Sequence, residues 1–144
     1  MEIHTHSETE TIELGKSLLT RFPKGGVVAL VGDLGSGKTH LTKGIALAAG
    51  FDGSVTSPTF TLVHEYVGSS QEVCHFDFYR LNSENELWDI GWDDYLDRGA
   101  VLVVEWADRF PDALPPETLW IDLAHAEDGG RLIQLRDGEQ GGAS

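Results

Sequence analysis

An unbroken apolar run, Val27-Val28-Ala29-Leu30-Val31, leads into Gly32-Asp33-Leu34-Gly35-Ser36-Gly37-Lys38-Thr39. A run of this kind marks a strand buried on both faces, so the chain must cover a parallel sheet with helices on either side. The segment that follows fits G-x-x-x-x-G-K-[ST], the phosphate-binding loop. Its glycines let backbone N–H groups converge into a concave anion nest. Lys38 adds a positive charge for the β- and γ-phosphates, and the Thr39 hydroxyl is suited to a Mg²⁺ shell. Leu41, Ile45 and Ala48 then recur at helical spacing, and Gly50 suits the stop. A helix starting near Lys38 aims its positive end at the same phosphates. Strand, loop and helix together predict nucleoside triphosphate binding through Gly32, Leu34, Gly35, Ser36, Gly37, Lys38 and Thr39.

At 144 residues the chain has the length of one domain, enough for one hydrophobic core. The expected extent is 1–136, with 137–144 as a disordered tail. No apolar run is long enough to span a bilayer, and Met1 to Glu10 is too polar for a signal peptide. Cys74 is the single cysteine, which excludes an internal disulfide or a cysteine-based zinc site. A cytoplasmic, membrane-free protein is expected. The formal net charge of −14 repels phosphate backbones, so direct binding of free nucleic acid is not expected.

Glu2 to His6 has the composition of a short edge strand. Ser7-x-x-Glu10 reads as a capping box opening a helix whose inner face carries Ile12, Gly15, Leu18, Leu19 and Phe22. Phe60 to Val67 and Val73 to Tyr79 form a predicted antiparallel hairpin around Gly68-Ser69-Ser70. Ser83-x-x-Glu86 predicts a second capped helix, broken at Gly91 and followed by another turn or two from Trp92. Ala100 to Val104 is a second all-apolar run, hence a second buried strand, and Leu119–Ala124 with Leu132–Arg136 predicts a last hairpin. The fold class expected is α/β: a P-loop NTPase-like three-layer sandwich, its mixed sheet combining a parallel core with antiparallel hairpins.

Chemistry beyond the loop requires acids. Glu105 ends the second buried strand, where phosphate-loop proteins place the residue that holds or orients the Mg²⁺ shell, and a Glu there also suits orienting a water. Asp77 is the second candidate, on a less apolar strand; aspartate is a poor strand former and needs a reason to be there. Thr59 follows Pro58 in a connecting segment, where it is either a plain turn residue or a contact to the γ-phosphate or metal. Arg80 is read as an ion-pair residue and Trp106 as core. The histidines His4, His6, His40, His64, His75 and His125 show no metal-ligand spacing with acids or cysteines and are read as surface or core residues.

Taken together, GDLGSGKT, SPTFTLVHEY (57–66), HFDFYRL (75–81) and VEW (104–106) resemble the TsaE family, the small ATPases of bacterial tRNA threonylcarbamoyladenosine (t6A) biosynthesis. The resemblance runs from the first helix to about Trp106 and thins beyond Asp108. It implies a Mg-dependent ATPase of low activity alone, stimulated by the TsaD–TsaB complex whose turnover it supports, with tRNA met only through that complex. It implies ATP and Mg²⁺ as cofactors, Thr39, Glu105 and Asp77 at the metal, and Lys38, Glu105, Asp77 and Thr59 in catalysis. It also points to Glu8, Thr11 and Arg131 as contacts to base or ribose. Two other readings fit the same loop: a small-molecule or nucleoside kinase, and a nucleotide-dependent binding module in which hydrolysis is incidental.

Overall fold

The computed structural model describes residues 2–32, 37–53 and 63–137. Its centre is the first apolar run, now strand β2 (Gly26–Gly32), in which Val28, Ala29 and Leu30 are fully buried. On either side lie β5 (Val101–Glu105) and β6 (Leu119–His125), both parallel to β2. β4 (Glu72–Asp77) adds to β5 in parallel, and β3 (Val63–Val67) closes that edge antiparallel to β4. At the other edge β7 (Arg131–Asp137) pairs antiparallel with β6 and β1 (Glu2–Thr5) antiparallel with β7. The described sheet therefore reads β1-β7-β6-β2-β5-β4-β3, a parallel core with antiparallel margins.

One face is covered by α1 (Glu8–Leu18) and α2 (Lys38–Ala48), whose Leu18, Leu41 and Ile45 meet Val28, Leu30, Val101, Val103 and Ile121. The other is covered by α3 (Glu84–Asp89), α4 (Trp92–Asp97) and the irregular turns that follow β5, packing Leu87, Trp92 and Leu114 on Val27, Ala29, Leu102 and Val104. That is the three-layer sandwich. The alternation along β2 and β5 feeds both cores, as a strand period of two demands. Each fully buried Val or Leu contributes about 1.5–3 kcal/mol of transfer free energy.

α1 and α2 touch backbone to backbone. A Cβ on Gly15 would lie 2.2 Å from the Leu41 carbonyl oxygen, and one on Gly44 would lie 2.0 Å from that of Ile12. Only hydrogen fits at either position, and this crossing sets the start of α1 beside the start of α2, where Glu8 reaches His40 at 3.5 Å.

Local expectations shift in three places. The Ser7 hydroxyl caps α1 by accepting the Glu10 N–H at 3.1 Å, but the Glu10 carboxylate reaches one residue further back, to the His6 N–H at 2.7 Å. At α3 the Ser83 side chain makes no capping bond, and Glu86 accepts the Asn82 N–H at 2.9 Å. The strand expected to reach Tyr79 stops at Asp77, whose carboxylate accepts the Tyr79 N–H at 3.0 Å and turns Phe78–Arg80 into a 3₁₀ turn. A short acceptor that competes for a neighbouring backbone donor ends a strand this way. Phe78 nonetheless stays on the side of Phe76, both rings packing edge-on against Trp92.

Candidate functional site

Because β2, β5 and β4 run parallel, their carboxyl ends open on one edge of the sheet, the usual place for ligands in such folds. Gly32 ends β2, Glu105 ends β5, and Asp77 ends β4 directly opposite Glu105 in register. Gly37, with φ of 106°, turns the chain from the loop into α2, a conformation that favours glycine, and Lys38 and Thr39 begin the helix. Leu34, Gly35 and Ser36, together with Thr59 and the rest of 54–62, lie outside the described residues.

Lys38 is buried for a lysine, at 5% exposure, and its Nζ has three neighbours among the described residues. It donates to the Gly32 carbonyl at 2.8 Å, lies 3.8 Å from Glu105 Oε1, and sits 4.9 Å over the Trp106 ring. The other Glu105 oxygen, Oε2, is 2.5 Å from His75 Nε2, and the His75 side chain is fully buried. Both carboxylate oxygens are thus fixed by cationic or imidazole partners, which satisfies the requirement that a buried charge be paired. Among the described residues His75 Nδ1 has no hydrogen-bond partner.

Asp77 is held above the ordinary carboxylate range, first by burial and further by the Glu105 charge, against which the Tyr79 N–H acts. Its strand is buried along its centre, from Val73 to Phe76, and Asp77 at its end is half-buried. Trp106 is the one described non-glycine residue with positive φ, 59°. That left-handed turn lays its indole across Lys38 and against the Tyr79 ring, centroids 5.0 Å apart. Strained backbone of this kind costs about 1–3 kcal/mol and persists where the surroundings impose it. Trp106 is therefore a wall of the site rather than plain core.

A pocket of about 200 Å³ opens beside Gly37, lined by His6, Glu8, Thr11, His40, Gly130 and Arg131 among others. Residues from α1, α2 and the β6–β7 turn thus converge, and the glycine crossing of the helices is what brings Glu8 and Thr11 there. Each presents a particular group. The Thr11 hydroxyl is occupied, 2.8 Å from that of Thr5 and 3.3 Å from the Ser7 carbonyl oxygen, so it offers the pocket its methyl. Arg131 donates to the Gly129 and Gly130 carbonyls, both at 3.0 Å, while its Nε is buried without a partner among the described residues.

His75 is a core residue, within the reading of the histidines as surface or core, and it has a role that reading did not assign. It is the direct partner of Glu105, though the two are far apart in the chain. The signal available was its place in an alternating strand two residues before Asp77, which put it on the acid-bearing face.

Residues 5–133 match the family model described as "Threonylcarbamoyl adenosine biosynthesis protein TsaE". The chain belongs to the TsaE family. It is 40% identical over 129 residues to the tRNA threonylcarbamoyladenosine biosynthesis protein TsaE of Bacillus subtilis, covering 90% of this chain and 80% of that one. To the protein of the same name from Treponema pallidum it is 38% identical over 135 residues, covering 94% and 99%. Its fold resembles the crystal structure of Bacillus subtilis YdiB with a TM-score of 0.77 and 32% identity, over 95% of this chain and 84% of that one. The TsaE match extends well past Asp108, where motifs in the sequence had faded. Among the described residues no helix is long and apolar enough to cross a membrane.

Proposed function

We propose that this TsaE-family chain serves t6A biosynthesis as a Mg-dependent ATPase, slow alone and stimulated by a TsaD–TsaB complex through which it meets tRNA indirectly. The observation that carries the catalytic part is the convergence of buried Lys38, Glu105 and His75 with half-buried Asp77 around the carboxyl ends of adjacent parallel strands. The family membership carries the pathway.

The residues fit a divalent cation. Asp77 and Glu105 are opposed carboxylates, and the Glu105 charge helps hold the Asp77 carboxyl up, a mutual repulsion that a cation relieves. Thr39, Glu105 and Asp77 would hold Mg²⁺, directly or through water, and the ion would neutralise charge developing on the phosphates. The rest belongs to the protein. Lys38 exchanges its present acceptors, the Gly32 carbonyl and Glu105, for phosphate oxygens when nucleotide enters. His75 keeps Glu105 pointed at the site while Lys38 moves, leaving the carboxylate to orient the attacking water. The Glu8, Thr11 and Arg131 pocket lies on the α1 side of Gly37, where base and ribose would rest. Thr59, outside the described residues, is in this reading the contact to the γ-phosphate or metal. The acidic surface suits a protein partner better than bare tRNA.

ATP turnover measured alone and with TsaD–TsaB tests this. Strong stimulation that Glu105→Ala abolishes supports the reading. Failure to associate with that pair overturns the pathway assignment. Phosphate transfer to a small acceptor would identify a kinase, and nucleotide-dependent association without hydrolysis a binding module.

A further inference from the structure

The geometry points to a transition-metal site beside the Glu8, Thr11 and Arg131 pocket, formed by His4, His6 and Asp128 and suited to Zn²⁺. It goes beyond the nucleotide reading and does not depend on it. His4 lies on edge strand β1 and His6 just past its end, so the two side chains share one face at a spacing of two residues. The β6–β7 turn folds back against them through the β1–β7 pairing, in which His4 faces Leu132 and Thr5 faces Arg131. Asp128 lies in that turn. Its Oδ1 is 3.2 Å from His4 Nε2 and its Oδ2 is 3.9 Å from His6 Nε2, while the imidazole rings lie 4.2 Å apart. One nitrogen or oxygen from each of the three falls within 4.8 Å of the others.

These separations suit a metal. Ligand bonds of about 2.0–2.1 Å in a tetrahedron put donor atoms about 3.3 Å apart. The two imidazole–carboxylate pairs, at 3.2 and 3.9 Å, lie near or beyond that distance and all three donors fall within 4.8 Å, so side-chain rotations close the site. A single carboxylate–imidazole hydrogen bond explains one histidine beside Asp128 and leaves the second without a reason. The surrounding bonds supply it. His6 Nδ1 is 3.3 Å from Glu10 Oε1, an arrangement that puts the ring proton on Nδ1 and the lone pair on Nε2, facing Asp128. Such outer carboxylates are the usual partners of metal-bound histidine. Asp128 is itself held, its Oδ1 accepting the Gly130 N–H at 2.9 Å. Two imidazoles and one carboxylate, with water completing the shell, is a donor set for Zn²⁺ or its neighbours rather than for Mg²⁺.

The site lies at the rim of the pocket described above, since His6 lines both. A bound cation would tie the start of α1 to the turn that leads into Arg131. Cys74 does not compete for the ion: it is buried, and burial first, with the Glu72 charge, pushes its thiol up to about 12.

The test uses the metal-free full-length protein with Co²⁺ as a visible probe and Zn²⁺ as the competitor. The expected result is one equivalent of Co²⁺ bound with the absorption of a histidine-ligated ion, displaced by Zn²⁺ and indifferent to excess Mg²⁺. The double variant His4→Gln/His6→Gln and the single Asp128→Asn should lose it while keeping the far-ultraviolet spectrum of the wild type. Glu10→Gln should bind about 10-fold more weakly, as for loss of an outer partner. No uptake at micromolar metal, wild-type uptake in the double variant, or displacement by Mg²⁺ would each overturn the site.

Discussion

His75–Glu105 and His4–Asp128 pair the same functional groups at 2.5 and 3.2 Å, in opposite surroundings. The first is enclosed, with side-chain exposures of 0% and 7%; the second is open, at 37% and 50%. Inside, removing one partner strands the other in a low-dielectric site, so the pair is locked and its geometry is a fixed part of the fold. Outside, water replaces either partner at little cost, so the pair adds little stability and its lone pairs stay available to a ligand. Identical chemistry thus becomes a scaffold in one place and an adaptable site in the other. Burial decides which.

The largest effect should come from breaking the enclosed pair. His75→Ala removes the buried imidazole contact of Glu105 and opens a cavity beside it, and should cost about 3 kcal/mol in chemical denaturation. A loss well under 1 kcal/mol would mean that water enters freely and the contrast with His4 fails. Next, Glu105→Ala should lower partner-stimulated ATP turnover by about 100-fold or more while nucleotide still binds, since the carboxylate acts on water and not on the base. Equal loss of nucleotide affinity would move Glu105 from chemistry to binding.

A smaller effect of opposite sign is expected at Asp77. Its carboxyl is held up chiefly by burial and then by Glu105, so its ionised form is a burden on the folded state once the pH exceeds the folded value. Below the unfolded value both states are protonated and the burden vanishes. Asp77→Asn should therefore raise the melting midpoint by about 1–3 °C at neutral pH, with the gain shrinking as the pH falls toward 4, while turnover is lost. The smallest effect is Asp128→Asn in metal-free protein, which should leave the melting midpoint unchanged in moderate salt. A clear fall would show that the exposed pair bears structural load after all.

Much of the machinery was legible along the chain because its signals are local. The run before Gly32, the spacing of Leu41 and Ile45, and the apolar segment ending at Glu105 each carry their own period, and each became the element it implied. Gly15 read correctly as part of the inner face of α1, although nothing in the sequence named Gly44 as the residue it meets. What escaped was pairing. His75 and Glu105 meet because two parallel strands align in register across a helical crossover, and no local pattern sets that register. His4, His6 and Asp128 meet because the last strand returns beside the first. Trp106 reads as an ordinary apolar residue until its backbone turns left-handed and sets the ring over Lys38.

The sequence by itself determined that a buried strand would deliver a phosphate loop to the start of a helix, and that Glu105 would end a neighbouring strand. Glycine geometry, lysine charge and apolar periodicity are properties of adjacent residues, so they survive without a partner. Only the tertiary structure decided which carboxylate holds which histidine and which lies open to solvent. Those choices depend on distance and dielectric, which exist only once the sheet has assembled.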